Sequence, residues 1–122
     1  MSRPSHPRAR RIDSNLRRIL AEEIELLADP RLQLVTITGV ETSPDMHKSI
    51  VYFSSMPLER MGEAKGALQA AAPRLRAAVG RQVRMKFTPE LEFRPDTGVV
   101  EGEKIESLLR QLSEDDTEGV EQ

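Results

Sequence analysis

Pro73 stands in the middle of an alanine-rich apolar stripe, and no other residue restricts the fold as much. Met61, Ala64, Leu68, Ala71, Ala72, Leu75, Ala78 and Val79 recur at helical spacing on both sides of it. An internal proline removes one backbone hydrogen bond and clashes with the preceding turn, which costs about 3 kcal/mol in an uninterrupted helix. The chain escapes that cost by stopping and restarting, with Pro73 as the first residue of a new helix. The spacing therefore predicts two helices, roughly 59–71 and 73–80, meeting at Ala71-Ala72-Pro73, with Gly80 ending the second.

Upstream, Pro4, Pro7 and small polar residues predict a flexible basic arm over residues 1–9. Ile12, Leu16, Ile19, Leu20, Ile24 and Leu27 then form one helical stripe that stops at Asp29-Pro30. Arg10, Arg11, Arg17 and Arg18 lie off the stripe, in two rows of seven-residue spacing on the solvent side. Leu34–Glu41 and His47–Ser55 read as strands joined by the turn residues Ser43-Pro44-Asp45, an antiparallel hairpin with a bulge or close approach at Gly39.

Downstream of Gly80, residues 82–94 alternate. Val83, Met85, Phe87, Leu91 and Phe93 are apolar and their neighbours polar, which predicts a half-buried strand interrupted at Pro89. Ile105, Leu108, Leu109 and Leu112 predict a short amphipathic helix, and 114–122 a disordered acidic tail. The order is helix, strand, strand, helix, break, helix, strand, helix. A single α+β domain follows, with a three-stranded sheet and helices packed on one face.

The chemistry open to such a chain is narrow. With 122 residues it supports one core, and with no Cys it holds no disulfide, thiolate zinc site or Cys nucleophile. Two histidines, His6 and His47, do not make a histidine-rich metal site, and Asp115-Asp116 lack the glycine turn and alternating ligands of a calcium loop. Phosphate-loop, dinucleotide, metalloprotease and nucleophile-elbow motifs are all missing, so no catalytic residue, metal or cofactor is expected. His47 reads as structural or inert. No apolar run reaches membrane-spanning length, and the basic N-terminus leads into no apolar signal core; a soluble cytoplasmic protein is expected.

The formal charge of −2 conceals a partition. Residues 1–20 carry +5, 21–63 −5, 64–89 +6 and 90–122 −8. A phosphate backbone senses a patch within a Debye length, about 8 Å at physiological salt, rather than the total. Lys65, Arg74, Arg76, Arg81, Arg84 and Lys86 surround the predicted corner and join Arg10, Arg11, Arg17 and Arg18 as candidate RNA-binding residues. Aromatics are few, Tyr52, Phe53, Phe87 and Phe93, so phosphate and shape are expected to outweigh base stacking.

The helix–break–helix unit resembles the core of a KH-like RNA-binding domain. DPRL at Asp29–Leu32, TITGVETSPD at Thr36–Asp45, KSIVYFS, LQAAAPRLRAAVGRQVRMKFTPELEF and the G-x-x-I-x-x-L-L pattern from Gly102 to Leu109 together resemble the ribosome-binding factor A family, over residues 8–112. The resemblance implies one KH-like domain of the second topological type over residues 10–113. It implies a monomer, not an enzyme, that binds the free small ribosomal subunit and its 16S rRNA, beside other assembly factors. Late maturation, including processing of the rRNA 5′ end, would be its task. It also implies a helix kink, with Ala71 as the small kink residue and Pro73 where the family commonly has Gly. The competing reading is a protein–protein adaptor or regulatory α+β domain without RNA contact, favoured by the negative net charge.

Overall fold

The computed structural model describes residues 7–98, 105–106 and 108–112. Five elements carry the fold: helix α1 (Pro7–Leu27), strands β1 (Val35–Thr42) and β2 (Lys48–Ser55), helix α2 (Met61–Gln82) and strand β3 (Glu90–Pro95).

Helix α1 opens on Pro7, where a missing N–H is harmless in the first turn. The helix thus starts earlier than the apolar stripe suggests. Residues 7–9, expected in the arm, are helical and Ala9 is buried; residues 1–6 lie outside the described residues. Ile12, Leu16, Ile19, Leu20 and Ile24 are buried as their periodicity requires. The helix ends where Ala28 takes a left-handed φ of 52°. Asp29 then caps a short 3-10 turn, accepting from the Arg31 amide at 2.9 Å, and the Arg31 guanidinium returns to both carboxylate oxygens at 3.1 and 2.8 Å. That places Leu32 in the core, so the DPRL segment is a braced turn.

The sheet order is β1-β2-β3, with β1 and β2 antiparallel, as expected, and β2 and β3 parallel. A parallel neighbour requires a long crossover, and α2 supplies it. Ile37 pairs with Phe53 and Gly39 with Tyr52, which leaves Thr38 as the bulged residue beside the glycine that signalled it. The Thr38 hydroxyl reaches the Asp96 carboxylate at 2.5 Å. Ile37, Val51, Phe53 and Phe93 form the buried side of the sheet, and α1 and α2 cover it. A polar pair sits within that layer, the hydroxyls of Thr42 and Ser49 at 2.8 Å. Two contacts tie α1 to β1: the Thr42 amide donates to Asp13 Oδ1 at 3.0 Å, and Arg17 Nε donates to the Ile37 carbonyl at 3.3 Å. On the other side of the sheet Glu92 accepts from Lys48 at 2.5 Å and from Arg94. Partial burial and the adjoining Glu41 push the Tyr52 phenol up there.

Three expectations are corrected. The chain does not break at Ala71-Ala72-Pro73; α2 is one helix from Met61 to Gln82 with Pro73 inside it, and it runs past Gly80. Leu68 before the proline and Leu75, Ala78 and Val79 after it are all fully buried against the same sheet. Carrying the helix on past Pro73 keeps Leu75, Ala78 and Val79 in the core beside Leu68, a gain of several kcal/mol that outweighs one lost hydrogen bond. The third strand is also shorter than the alternation implies. Residues 83–89 are irregular, and only 90–95 pair with β2. Val83 and Met85 still pack against the core, but from a loop. Lastly, residues 105–106 and 108–112 are helical as expected, yet Ile105, Leu108, Leu109 and Leu112 are exposed, so this segment adds nothing to the packed layer. The acidic tail at 114–122 lies outside the described residues.

Candidate nucleic-acid interface

Helical spacing decides where each arginine goes. At about 100° per residue, Arg10 and Arg17 of α1 share one flank and Arg11 and Arg18 the next. The first flank faces β1, where Arg17 is held by the Ile37 carbonyl. On the second, Arg18 pairs with Glu22 at 3.3 Å. Arg10 and Arg11 surround an open hollow with Ser14 and Asn15 and carry no partner among the described residues. Arg17 and Arg18 also border a groove of about 700 Å³ between α1 and β1, floored by Ile24, Leu32, Val35 and Ile37.

The second basic block does not form one patch. Arg74 and Arg81 lie on the flank of α2 that faces α1, where Arg81 comes within 4.0 Å of Glu23. Lys65 and Arg76 lie, by helical spacing, on the opposite flank. Arg76 is committed to the backbone, donating to the carbonyls of Pro89 at 3.0 Å and Thr88 at 2.7 Å. Arg84 and Lys86 stand on the loop after α2, not on a strand face. Lys65, Arg74 and Arg84 have no hydrogen-bond or ion-pair partner among the described residues. These are cations available for phosphate, whereas Arg76 and Arg17 are partly spent on the fold.

The residues of the expected corner sit mid-helix. Ala71 and Ala72 are half-buried against the core and Pro73 is exposed, next to Arg74.

Sequence reasoning missed one feature. Phe87, taken as an inward strand residue, is 43% exposed, and its ring stacks on His47, with centroids 4.5 Å apart and planes 28° from parallel. The ammonium of Lys86 lies 5.5 Å from the same ring's centre. The signal was present in Thr88-Pro89, since a proline before a strand interrupts the alternation that assigned Phe87 to a buried side. His47, read as inert, is fixed at the hairpin tip. Asp45 accepts from the Ser43 hydroxyl at 2.7 Å and the His47 amide at 3.0 Å, which holds its carboxyl below the usual carboxylate range. No group of three metal-ligating side chains occurs among the described residues.

A family model described as ribosome-binding factor A matches residues 8–109. A ribosome-binding factor A from Rubrobacter xylanophilus is 42% identical over 116 residues, covering 94% of this chain and 95% of the relative. The crystal structure of ribosome-binding factor A from Thermus thermophilus superposes with a TM-score of 0.67 at 42% identity, covering 71% of this chain and 94% of that one. A homology model of Thermus thermophilus ribosome-binding factor A, as fitted into the cryo-EM map of its 30S complex, gives a TM-score of 0.58 at 45% identity, covering 67% of this chain and 88% of that one. The three-stranded α+β domain is KH-like, as are these neighbours.

Proposed function

The chain belongs to the ribosome-binding factor A family, and on that premise we propose that it binds the free small ribosomal subunit through 16S rRNA and assists its late maturation, including processing of the rRNA 5′ end. It acts in the cytoplasm as a monomer, by binding and not by catalysis, without a cofactor and alongside other assembly factors. The observation that carries the reading is the set of unpartnered cations Arg10, Arg11, Lys65, Arg74 and Arg84 among the described residues of one small domain. Such side chains engage phosphates and set orientation without reading sequence. Arg81 on α2 and Lys86 on the loop after it add further positive charge. Pro73 beside Arg74 is read as the family's kink position, a local bend within a continuous helix. The acidic residues at 114–122 are read as a competitor of RNA for these cations, and Arg3, ahead of α1, as a further basic contact.

Binding to free small subunits, measured from about 50 to about 200 mM salt, tests this. Wild type should weaken steeply with salt. A variant with Arg74→Ala, Arg81→Ala and Arg84→Ala should bind less tightly, with a slope shallower by about one for each phosphate no longer engaged. Equal affinity of the two proteins across the series would leave the adaptor reading in its place.

A further inference from the structure

The geometry points to a nucleobase-stacking site at the His47–Phe87 pair, where one unpaired base of a single-stranded RNA segment is held. The inference rests on the RNA-binding reading and adds to it a place where a base, not a phosphate, is recognised.

Three separate parts of the chain meet here. Arg8 and Ile12 come from the start of α1, Asp45 and Met46 from the β1–β2 turn, and Met85, Lys86 and Phe87 from the loop after α2. Together they enclose a cavity of about 240 Å³. That is below the volume of a drug-sized pocket, which starts at about 300 Å³, and suits a single ring system. Phe53 and Phe93 are in the core and Tyr52 is half-buried, so Phe87 is the one exposed phenylalanine. Its ring stacks on the His47 imidazole, and the same side chain lines the cavity.

The rings are held, not loose. The Glu90 amide donates to the His47 carbonyl at 2.9 Å, tying the hairpin tip to β3. Arg76 clamps the two carbonyls that follow Phe87. Met46, between Asp45 and His47, keeps a φ of 65°, a left-handed conformation unfavourable for a bulky residue. A shelf fixed in this way loses little entropy when a base adds to the stack. Lys86 and Arg8 supply positive charge for the adjoining phosphate. Asp45 is the one acid lining the cavity, and as a carboxylate it offers an acceptor to a base amino group.

The test uses the full chain and two probes, a labelled oligoadenylate of about 12 nucleotides and an RNA duplex of equal length. Phe87→Ala should weaken oligoadenylate binding about tenfold and leave duplex binding within about twofold. The chain contains no Trp and one Tyr, so Phe87→Trp introduces a single indole that can be excited selectively over Tyr52. It should bind at least as tightly as wild type, and its emission should be quenched by oligoadenylate but not by the duplex. Unchanged oligoadenylate affinity in Phe87→Ala, or an unquenched Phe87→Trp that still binds, overturns the stacking site while duplex and subunit binding keep the broader reading intact. Wild type that binds neither probe nor the small subunit overturns both.

Discussion

Arg76 Nε donates to the carbonyl oxygen of Pro89 at 3.0 Å, joining the C-terminal half of α2 to the residue just before β3. A second bond from Nη2 to Thr88 at 2.7 Å makes the contact a fork. The residue is a brace for the loop that carries Arg84, Lys86 and Phe87.

Arg76→Ala should therefore lower unfolding stability by about 1–2 kcal/mol, toward the low end of what hydrogen bonds to charged groups contribute because the fork is partly exposed. Arg74→Ala should stay within about 0.5 kcal/mol, as an exposed side chain without a partner does. Urea denaturation of the two variants checks the contrast; equal midpoints would deny Arg76 its bracing role.

Pro73→Ala should raise stability. Because α2 continues through the proline, alanine restores an N–H to the helix ladder and removes a steric clash worth about 3 kcal/mol. Losing the proline's restriction of the unfolded chain takes back about 0.4–1 kcal/mol. The expected gain is about 2 kcal/mol, read as a higher melting temperature. A lower one would mean that the packing depends on a bend at Pro73.

Ala28→Gly should also stabilise, by about 0.5–1 kcal/mol. Ala28 ends α1 at a φ of 52°, where a Cβ is strained and glycine is not. The side chain is exposed, so nothing is lost from the core. Thermal unfolding of the variant decides it, and a drop would show that the turn relaxes without help.

Acid should weaken the fold through the carboxyls held below their usual values. Hydrogen bonds from Lys48 and Arg94 lower Glu92, and that from the Arg31 side chain lowers Asp29. A depressed folded pKa contributes stability that is complete above the unfolded value and disappears as pH falls through the folded one. The loss therefore begins below 4.5 for Glu92 and below 3.8 for Asp29 and Asp45. Glu92→Gln should show a smaller fall in melting temperature between neutral pH and about pH 2 than wild type; an identical fall would remove Glu92 from the account.

How far the sequence predicts this molecule depends on what decides each element. The core stripe of α1 and the β1–β2 hairpin follow from periodicity and turn residues, because local chemistry and burial agree there. The break at Pro73 does not occur, because the penalty is local and the compensating burial of Leu68, Leu75 and Val79 comes from a sheet assembled elsewhere in the chain. Residues 83–89 alternate like a strand, but β2 offers β3 pairing only from Lys48 onward, opposite Glu90. The basic residues were identifiable by composition. Their separation onto two flanks of α2, and the capture of Arg76 and Arg17 by carbonyls, depends on neighbours brought close by folding. The His47–Phe87 stack joins residues far apart in the chain and left no periodic trace.

The bonds from α1 to β1 have a consequence for how this chain behaves in a crowded solution. β1 is an outer strand, and an outer strand with open amides and carbonyls invites another chain to pair with it and begin a fibre. Asp13 takes the outward amide of Thr42, and Arg17 takes the outward carbonyl of Ile37, so α1 lies where an incoming strand would have to dock. The opposite outer strand, β3, is six residues long, carries Glu90, Glu92 and Arg94, and ends on Pro95. Both margins of the sheet thus resist propagation, one through contacts from a helix and the other through charge and brevity.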